Sequence, residues 1–336
     1  MPLPGLPIHP QILILPSMDS FLKPIRMARH CLRQHLPTLR PNRLLPADPS
    51  LRDIWSIAIY SGETPFKLAP VTGIKNPAIT AHDVTDVRAD FVADPFMIQR
   101  NKKWFMFFEV LNHDTQRGQI AVANSEDGYT WNYQNIVLDE PFHLSYPYVF
   151  EWNEEYFMIP ETHQAKAVRL YKAIDFPNRW KLVKTLIHDV EFADASPFFH
   201  QHRWWLFAGA GENWHSSELR LYQSKNLMGP WTEHPKSPIL TGRSDISRPS
   251  GRVLNHDGKI FRLTQNCQPL YGTSVKAFEI TELTEASYRE RPLQRNPILK
   301  ATKRGWNSVG MHHIDAHPLP YGPWLACVDG WTWGPH

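Results

Sequence analysis

A proline recurs along this chain at an almost constant step. Asp94 precedes Pro95, Tyr146 precedes Pro147, Ser196 precedes Pro197 and Arg248 precedes Pro249, at intervals of 52, 50 and 52 residues. A fifth pair, His317–Pro318, follows after a longer interval of 69. Each opening is followed by a second apolar run: KWFMFFE (103–109), EYFMIPE (155–161), RWWLFAG (203–209), KIFRLTQ (259–265) and WLACVDG (324–330). A third run follows in four units: QIAVANS (119–125), AVRLYKA (167–173), LRLYQSK (219–225) and SVKAFEI (274–280). A fourth often opens on tryptophan, at Trp131, Trp180 and Trp231. The runs are short, rich in aromatic and β-branched residues, and bounded by turn residues, so they read as strands. Four strands in a unit of about 50 residues is the pattern of a propeller blade. Five units predict an all-β fold, a five-bladed β-propeller, in which each blade buries its faces against its neighbours.

The fifth unit stops soon after its second strand. WSIAIYSG (55–62) and PVTGIKNPAI (70–79) stand before the first unit and read as strands three and four. The expectation is a ring closed by N-terminal strands, which leaves no open sheet edge between first and last blades. Residues 51–336 then form the propeller. Residues 1–50 lie outside the repeat, carry ten prolines and a short basic stretch (Ser20–His35) with helical character, and read as a flexible arm. The alternative for the segment before Met18 is an over-extended start.

Composition narrows the function. Net charge is +3, and residues 1–50 hold six Lys/Arg against Asp19 and Asp48, so 6 − 2 = +4 sits in the arm and 3 − 4 = −1 in the remainder. The body has no basic field of the kind that attracts nucleic acid. Cys31, Cys267 and Cys327 show no metal-ligand spacing, which suggests a reducing, cytoplasmic setting. No apolar run approaches the roughly 18 residues of a membrane span, and ILILP is too short for a secretory signal. There is no glycine-rich phosphate loop, dinucleotide fingerprint or G-x-S-x-G elbow, so no cofactor is expected.

In a propeller the first strand of each blade lines the central channel, and residues at its opening converge. Here these are Asp94, Tyr146, Asp194 or Ser196, Arg248, and Asp315 or His317, with Glu109 and Glu161 added from second-strand ends. Glu212 in GAGENWH is a candidate for the rim. Carboxylates, a guanidinium and aromatic rings together suit a sugar, since rings stack on its faces and charged groups take its hydroxyls. Two carboxyls across a glycosidic bond could also cleave it. MHHIDAHP (311–318) places His313, Asp315 and His317 on one face of a strand. That pattern is open between metal ligation, substrate contact and plain structure; no metal is assigned.

FVADPF, WFMFFE, IAVANSEDGYTW, PFHLSYPYVFE, YFMIPE, LYKAIDFPNRW, SRPSGR and HHIDAH resemble the amino-terminal domain of the glucosamine inositolphosphorylceramide transferases over about residues 50–335. That domain is similar, more distantly, to the five-bladed propellers of glycoside hydrolase families 43, 32 and 62. The hydrolase likeness implies an acid on the first strand of blade one, where Asp94 stands. It also implies a second acid early in a later blade, where this chain offers Tyr146 and then Asp194. The transferases carry glycosyltransferase activity on a separate carboxy-terminal module that nothing here resembles.

The expectation is a carbohydrate-active, glycoside hydrolase-like propeller acting on or binding a glycan or glycolipid. Asp94 would be base or nucleophile and Glu161 or Asp194 the acid. Tyr146, Arg248, His313, Asp315, His317 and Glu109 would contact substrate. The alternative is a non-catalytic glycan-binding module that assists a partner glycosyltransferase. A pure protein-interaction scaffold fits less well, because it would not need ionisable groups at the blade openings.

Overall fold

A computed structural model describes residues 51–211, 217–320 and 322–335. The expected arm (1–50), its basic stretch and Glu212 lie outside the described residues. The regular elements of the described residues are nearly all strands, with only short 3-10 turns beside them. Among them no helix is long and apolar enough to cross a membrane.

Five antiparallel sheets form the blades, and their order follows the repeat. Blade one runs Ala89–Arg100, Lys103–Asn112, Arg117–Ser125, Asn132–Leu138. Blade two runs Ser145–Trp152, Glu155–Glu161, Ala167–Asp175, Arg179–His188, and blade three Ala193–His200, Arg203–Ala210, Glu218–Ser224, Thr232–Glu233. Blade four opens on Arg248–Pro249 and continues through Lys259–Asn266, Ser274–Leu283 and Tyr288–Pro292. Its first strand is interrupted before Leu254–His256, because the chain passes close to blade five at Gly251. Gly251 has φ +112°, and a Cβ there would lie 1.9 Å from the Ile314 carbonyl oxygen, so only glycine fits.

Blade five supplies only Ile314–Pro318 and Trp324–Pro335 from the C-terminal side. Leu51–Thr64 completes it, pairing antiparallel with Trp324–Pro335 from Leu51↔Pro335 to Gly62↔Trp324. The outermost strand differs from the expectation of 70–79. It is Lys67–Pro70, paired across a tight return with Tyr60–Thr64. Residues 71–78 form no strand, and only Ile79 returns, bridging Ile57. The physical reason lies in Pro70 and Pro77, which lack the N–H groups a ladder needs.

The run WSIAIY is apolar at every position but Ser56, itself buried, because its strand is buried on both faces. Ile57 and Ile59 pack with Met97, Met106 and Leu325 towards blade one. Ala58 and Tyr60 pack with Phe261, Leu263 and Val328 towards blade four. Alternating side chains thus enter two different cores, which makes this strand a wedge between the first and fourth blades.

Four first-to-second-strand hairpins turn in two residues, closed by Arg100↔Lys103, Trp152↔Glu155, His200↔Arg203 and His256↔Lys259. Both central residues have positive φ in every case: Asn101 and Lys102, Asn153 and Glu154, Gln201 and His202, Asp257 and Gly258. That is the turn whose twist matches two antiparallel strands. It sets the register that delivers each first strand to the channel.

Candidate functional site

The first strands of blades one, two and three each carry a bulge near the mouth. The ladder slips between Ala93 and Phe96, between Ser145 and Tyr148, and between Ala193 and Ser196. The residue entering each bulge has positive φ: Asp94 at 54°, Tyr146 at 46° and Asp194 at 53°. Such a conformation is unfavourable for a residue with a Cβ, and a bulge of this kind re-aims the side chain. Asp194, and not Ser196 before the proline, is therefore the blade-three counterpart of Asp94.

Facing each bulge, one residue of the second strand points to the same place. Glu109 is opposite Ala93, Glu161 opposite Ser145, Gly209 opposite Ala193, and Gln265 opposite Arg248. In blade five the position belongs to Asp329, whose N–H donates to the His313 carbonyl (3.4 Å). Two of these carboxylates reach across to the next blade. Glu161 Oε2 accepts the Asp194 N–H (3.1 Å), and Asp329 Oδ2 accepts the Asp94 N–H (3.0 Å). Each acid thereby satisfies the main chain at a strained bulge of the neighbouring blade.

Arg248 lies at the centre. Its Nε donates to Asp194 Oδ2 (2.5 Å) and its Nη2 to both Asp194 Oδ1 (3.2 Å) and Glu161 Oε2 (3.4 Å). Gln265 Nε2 also donates to Asp194 Oδ2 (2.8 Å), and His163 Nδ1 lies 2.8 Å from Glu161 Oε1. Burial alone would raise Glu161, but the His163 contact and the Arg248 charge hold it well below the usual carboxylate range. Burial raises Asp194 to about 8, with Arg248 pulling it down and the adjacent Glu161 pushing it up. One guanidinium serves two carboxyls, and the pair is pushed in opposite directions, Glu161 down and Asp194 up.

Asp94 has no such cation against it. Burial, then Asp194, Asp329 and Glu109, raise it well above an ordinary aspartate, which favours its protonated form. His312 Nε2 stands 3.6 Å and His313 Nδ1 3.8 Å from its Oδ1. His312 Nδ1 lies 2.7 Å from Asp329 Oδ1, which also accepts the His313 N–H (2.9 Å). Asp94, His312 and Asp329 bring one donor atom each within 4.8 Å of one another, a spacing that could hold a cation. Both Asp329 oxygens already accept hydrogen bonds.

The rim is aromatic. Tyr271, 38% exposed, lies under the Arg248 guanidinium at 5.1 Å from its ring centre. Trp55 packs against His312 with centroids 4.2 Å apart, and against Tyr271 at 6.0 Å. His143, partly exposed, puts Nε2 3.2 Å from Glu109 Oε1, and that carboxylate outweighs burial to raise the imidazole above its ordinary value.

The residues expected together from the sequence thus divide. Asp94, Glu109, Glu161, Asp194, Arg248 and His313 meet at the mouth. Tyr146, Asp315 and His317 do not. The Tyr146 hydroxyl is fully buried, accepting the Gly251 N–H (2.6 Å) and lying 2.8 Å from Ser196 Oγ. Asp315 accepts the Met97 N–H (2.7 Å), three residues along the strand from Asp94, and pairs with Arg252 (2.8 Å) and His317 (2.9 Å). The first strand of blade five runs along the channel, so each further pair of residues carries its side chains away from the mouth. His312, Asp329, Gln265, His143, His163, Trp55 and Tyr271 were not singled out in the sequence. Asp329 had a signal: it stands near the end of WLACVDG as Glu109 and Glu161 end their own second runs.

The family model "Glucosamine inositolphosphorylceramide transferase 1, N-terminal" matches residues 49–331. Glucosamine inositolphosphorylceramide transferase 1 of Oryza sativa subsp. japonica is 37% identical over 319 residues, covering 87% of this chain and 42% of the relative. That of Arabidopsis thaliana is 33% identical over 301 residues, covering 82% of this chain and 39% of the relative. The chain therefore spans about two fifths of the length of these relatives. Among solved structures, the catalytic domain of a Coprinopsis cinerea GH62 α-L-arabinofuranosidase superposes with a TM-score of 0.55 at 11% identity, covering 81% of this chain and 96% of that one. An exo-1,5-α-L-arabinanase from a bovine ruminal metagenomic library gives 0.53 at 11% identity, with 73% and 94% covered. At such identity the likeness is one of fold.

Proposed function

The chain belongs to the family of the glucosamine inositolphosphorylceramide transferase 1 N-terminal domain, and from that premise we propose that the mouth of its propeller binds one sugar unit of a glycan or glycolipid. The observation that carries this reading is the convergence of hydrogen-bonding groups from all five blades beneath a partly exposed tyrosine. Asp94 and Glu109 come from blade one, Glu161 from two, Asp194 from three, Arg248 and Gln265 from four, His312 and Asp329 from five. Five carboxyl groups face one guanidinium that two of them already share. Such a mouth suits a neutral or amino-bearing sugar and repels uronates and phosphosugars. The ring of Tyr271 offers a face for stacking.

A second reading, glycoside cleavage, has its own support. The environments of Asp94 and Glu161 push their protonation in opposite directions, which is the arrangement of an acid with an ionised partner. Asp94 would then give its proton to the leaving oxygen, rather than act as base or nucleophile. Against this, Glu161 and Asp194 are both nearly enclosed and held by Arg248, so we place recognition first and see the module as presenting a glycan to a partner glycosyltransferase.

The test is a glycan array on purified protein, followed by product analysis on each ligand retained. Recognition predicts retention without cleavage, and a modest loss in Asp94→Asn, about fivefold or roughly 1 kcal/mol for one hydrogen bond. A cleaved product that disappears in Asp94→Asn would establish the second reading. Retention of no glycan would sink both.

A further inference from the structure

Three polar side chains meet at the mouth without bonding to one another. His312 Nε2 stands 3.6 Å and His313 Nδ1 3.8 Å from Asp94 Oδ1, and both gaps exceed hydrogen-bond distance. The His313 ring lies near the Pro95 carbonyl, yet neither of its nitrogens makes a hydrogen bond of ordinary geometry. Its side chain is only 1% exposed, whereas Asp94 keeps 9% and His312 4%. The pair that a ligand can meet is therefore Asp94 and His312. Among the described residues, no group makes a hydrogen bond to the Asp94 carboxyl or to His312 Nε2. Buried polar groups nearly always have a partner, and here the chain leaves the capacity of two of them unused.

Asp329 decides what His312 offers. Its Oδ1 accepts the His312 N–H (3.3 Å) and the His313 N–H (2.9 Å), and its Oδ2 accepts the Asp94 N–H. A carboxylate that takes three main-chain N–H groups is an acceptor, so in the 2.7 Å contact between His312 Nδ1 and Asp329 Oδ1 the proton belongs to the imidazole. With the ring neutral, Nε2 then carries the lone pair, on the side of Asp94. Trp55, with its centroid 4.2 Å from that of His312, holds the ring in place.

We propose that His312 and Asp94 together read one hydroxyl of the bound sugar, which donates to His312 Nε2 and accepts from the Asp94 carboxyl, with Asp329 as the positioning residue that fixes the imidazole. The inference rests on the reading of the mouth as a sugar site. Burial and the neighbouring carboxyls favour the protonated form of Asp94, which supplies the donor. A hydroxyl both gives and takes a hydrogen bond. A hydrogen atom at the same place does neither, and an ammonium only gives. The pair therefore selects a hydroxyl at one position of the ring, and an amino group that the mouth accepts belongs at another.

Two measurements test this. Heteronuclear NMR of protein labelled at the histidine ring nitrogens, with His312 assigned by its disappearance in His312→Phe, should show the neutral ring protonated on Nδ1. A proton on Nε2 instead would overturn the proposal before any ligand is added. Calorimetric titration with the methyl glycosides of glucose, galactose, mannose and glucosamine, and then with the monodeoxy and monoamino derivatives of each that binds, reads the contact itself. Removal of one particular hydroxyl should weaken binding by about fivefold or more, because it leaves buried polar groups unpaired. An amino group in its place should cost as much, and the same changes at other positions less. His312→Phe keeps a ring against Trp55, and in it the penalty for losing that hydroxyl should largely disappear. If this variant does not fold, His312→Gln takes its place in both measurements. Equal penalties at every position, or a penalty unchanged in the variant, would overturn the pair while leaving the mouth a sugar site. Binding that appears only with added calcium or manganese would give Asp94 and His312 to a metal ion, with the same result. Failure of every glycoside to bind would instead overturn the reading of the mouth and this inference with it.

Discussion

Arg248 balances two buried carboxyls with one charge, and that imbalance has consequences for pH. Burial and Glu161 hold Asp194 at about 8 in the folded protein, against roughly 4 in an unfolded chain. A carboxyl raised on folding contributes its stability fully below the unfolded value and loses it as the pH climbs through the folded one. Asp94, also raised, acts in the same direction. Glu161, depressed by His163 and Arg248, contributes above its unfolded value and loses that only in acid, outside this window. The melting temperature should therefore fall between about pH 5 and about pH 9. In Asp194→Asn the fall should be visibly shallower, and parallel profiles for mutant and wild type would contradict the assignment. Removing the cation is a harsher change. Arg248→Met leaves two carboxyls enclosed without their guanidinium and should cost about 3–5 kcal/mol, measurable by denaturant unfolding.

At the scale of elements, the hairpins and bulges do the positioning. The two-residue turns ask for positive φ at both central residues, yet only the blade-four turn spends a glycine on it. Glu154 adopts φ 64° with a full side chain, at a conformational cost of about 1–2 kcal/mol that glycine would not incur. Glycine returns part of that as unfolded-chain entropy, about 0.4–1 kcal/mol. Glu154→Gly should consequently raise the melting temperature by roughly 1–2 °C, and a decrease would show that the Glu154 side chain contributes contacts of its own. The bulges behave differently. Asp94 and Asp194 keep their strained conformation because a carboxylate on the neighbouring blade accepts each N–H. These acids hold the blades in register as well as shaping the mouth.

For the whole molecule, the decisive contact joins residues far apart in the chain. Leu51–Thr64 and Trp324–Pro335 form one ladder, and the former buries both faces between blades one and four. Deleting residues 1–45 should leave the melting temperature within about a degree. Deleting residues 1–64 should abolish cooperative unfolding, because blade five is left with two strands and two exposed cores. A cooperative transition in the longer deletion would mean that the ring closes without that strand. A large loss in the shorter one would show that the N-terminal segment is packed.

The repeat determined the architecture before any coordinate was needed. Blade number, the order of strands and closure by the N-terminal side all follow from local patterns: X-Pro openings, apolar runs and their turns. WSIAIY was legible as a strand because burial on both faces leaves it apolar at every position but Ser56. Its outer partner was not, since residues 67–70 carry too short a run, KLAP, to stand out. The candidate site was legible only as a set of positions near blade openings. Asp94, Arg248 and Glu161 follow from that rule. The choice of Asp194 over Ser196 depended on where a bulge falls, and the departure of Asp315 and His317 on how far one strand runs along the channel. Asp329 joined the site through a hydrogen bond from the Asp94 N–H, across more than two hundred residues of chain, and His312 through its own hydrogen bond to Asp329. The protonation of Asp94 against Glu161 was beyond any sequence pattern. It is set by burial and by which carboxyl the one guanidinium reaches, and both exist only once five blades have closed on a common axis.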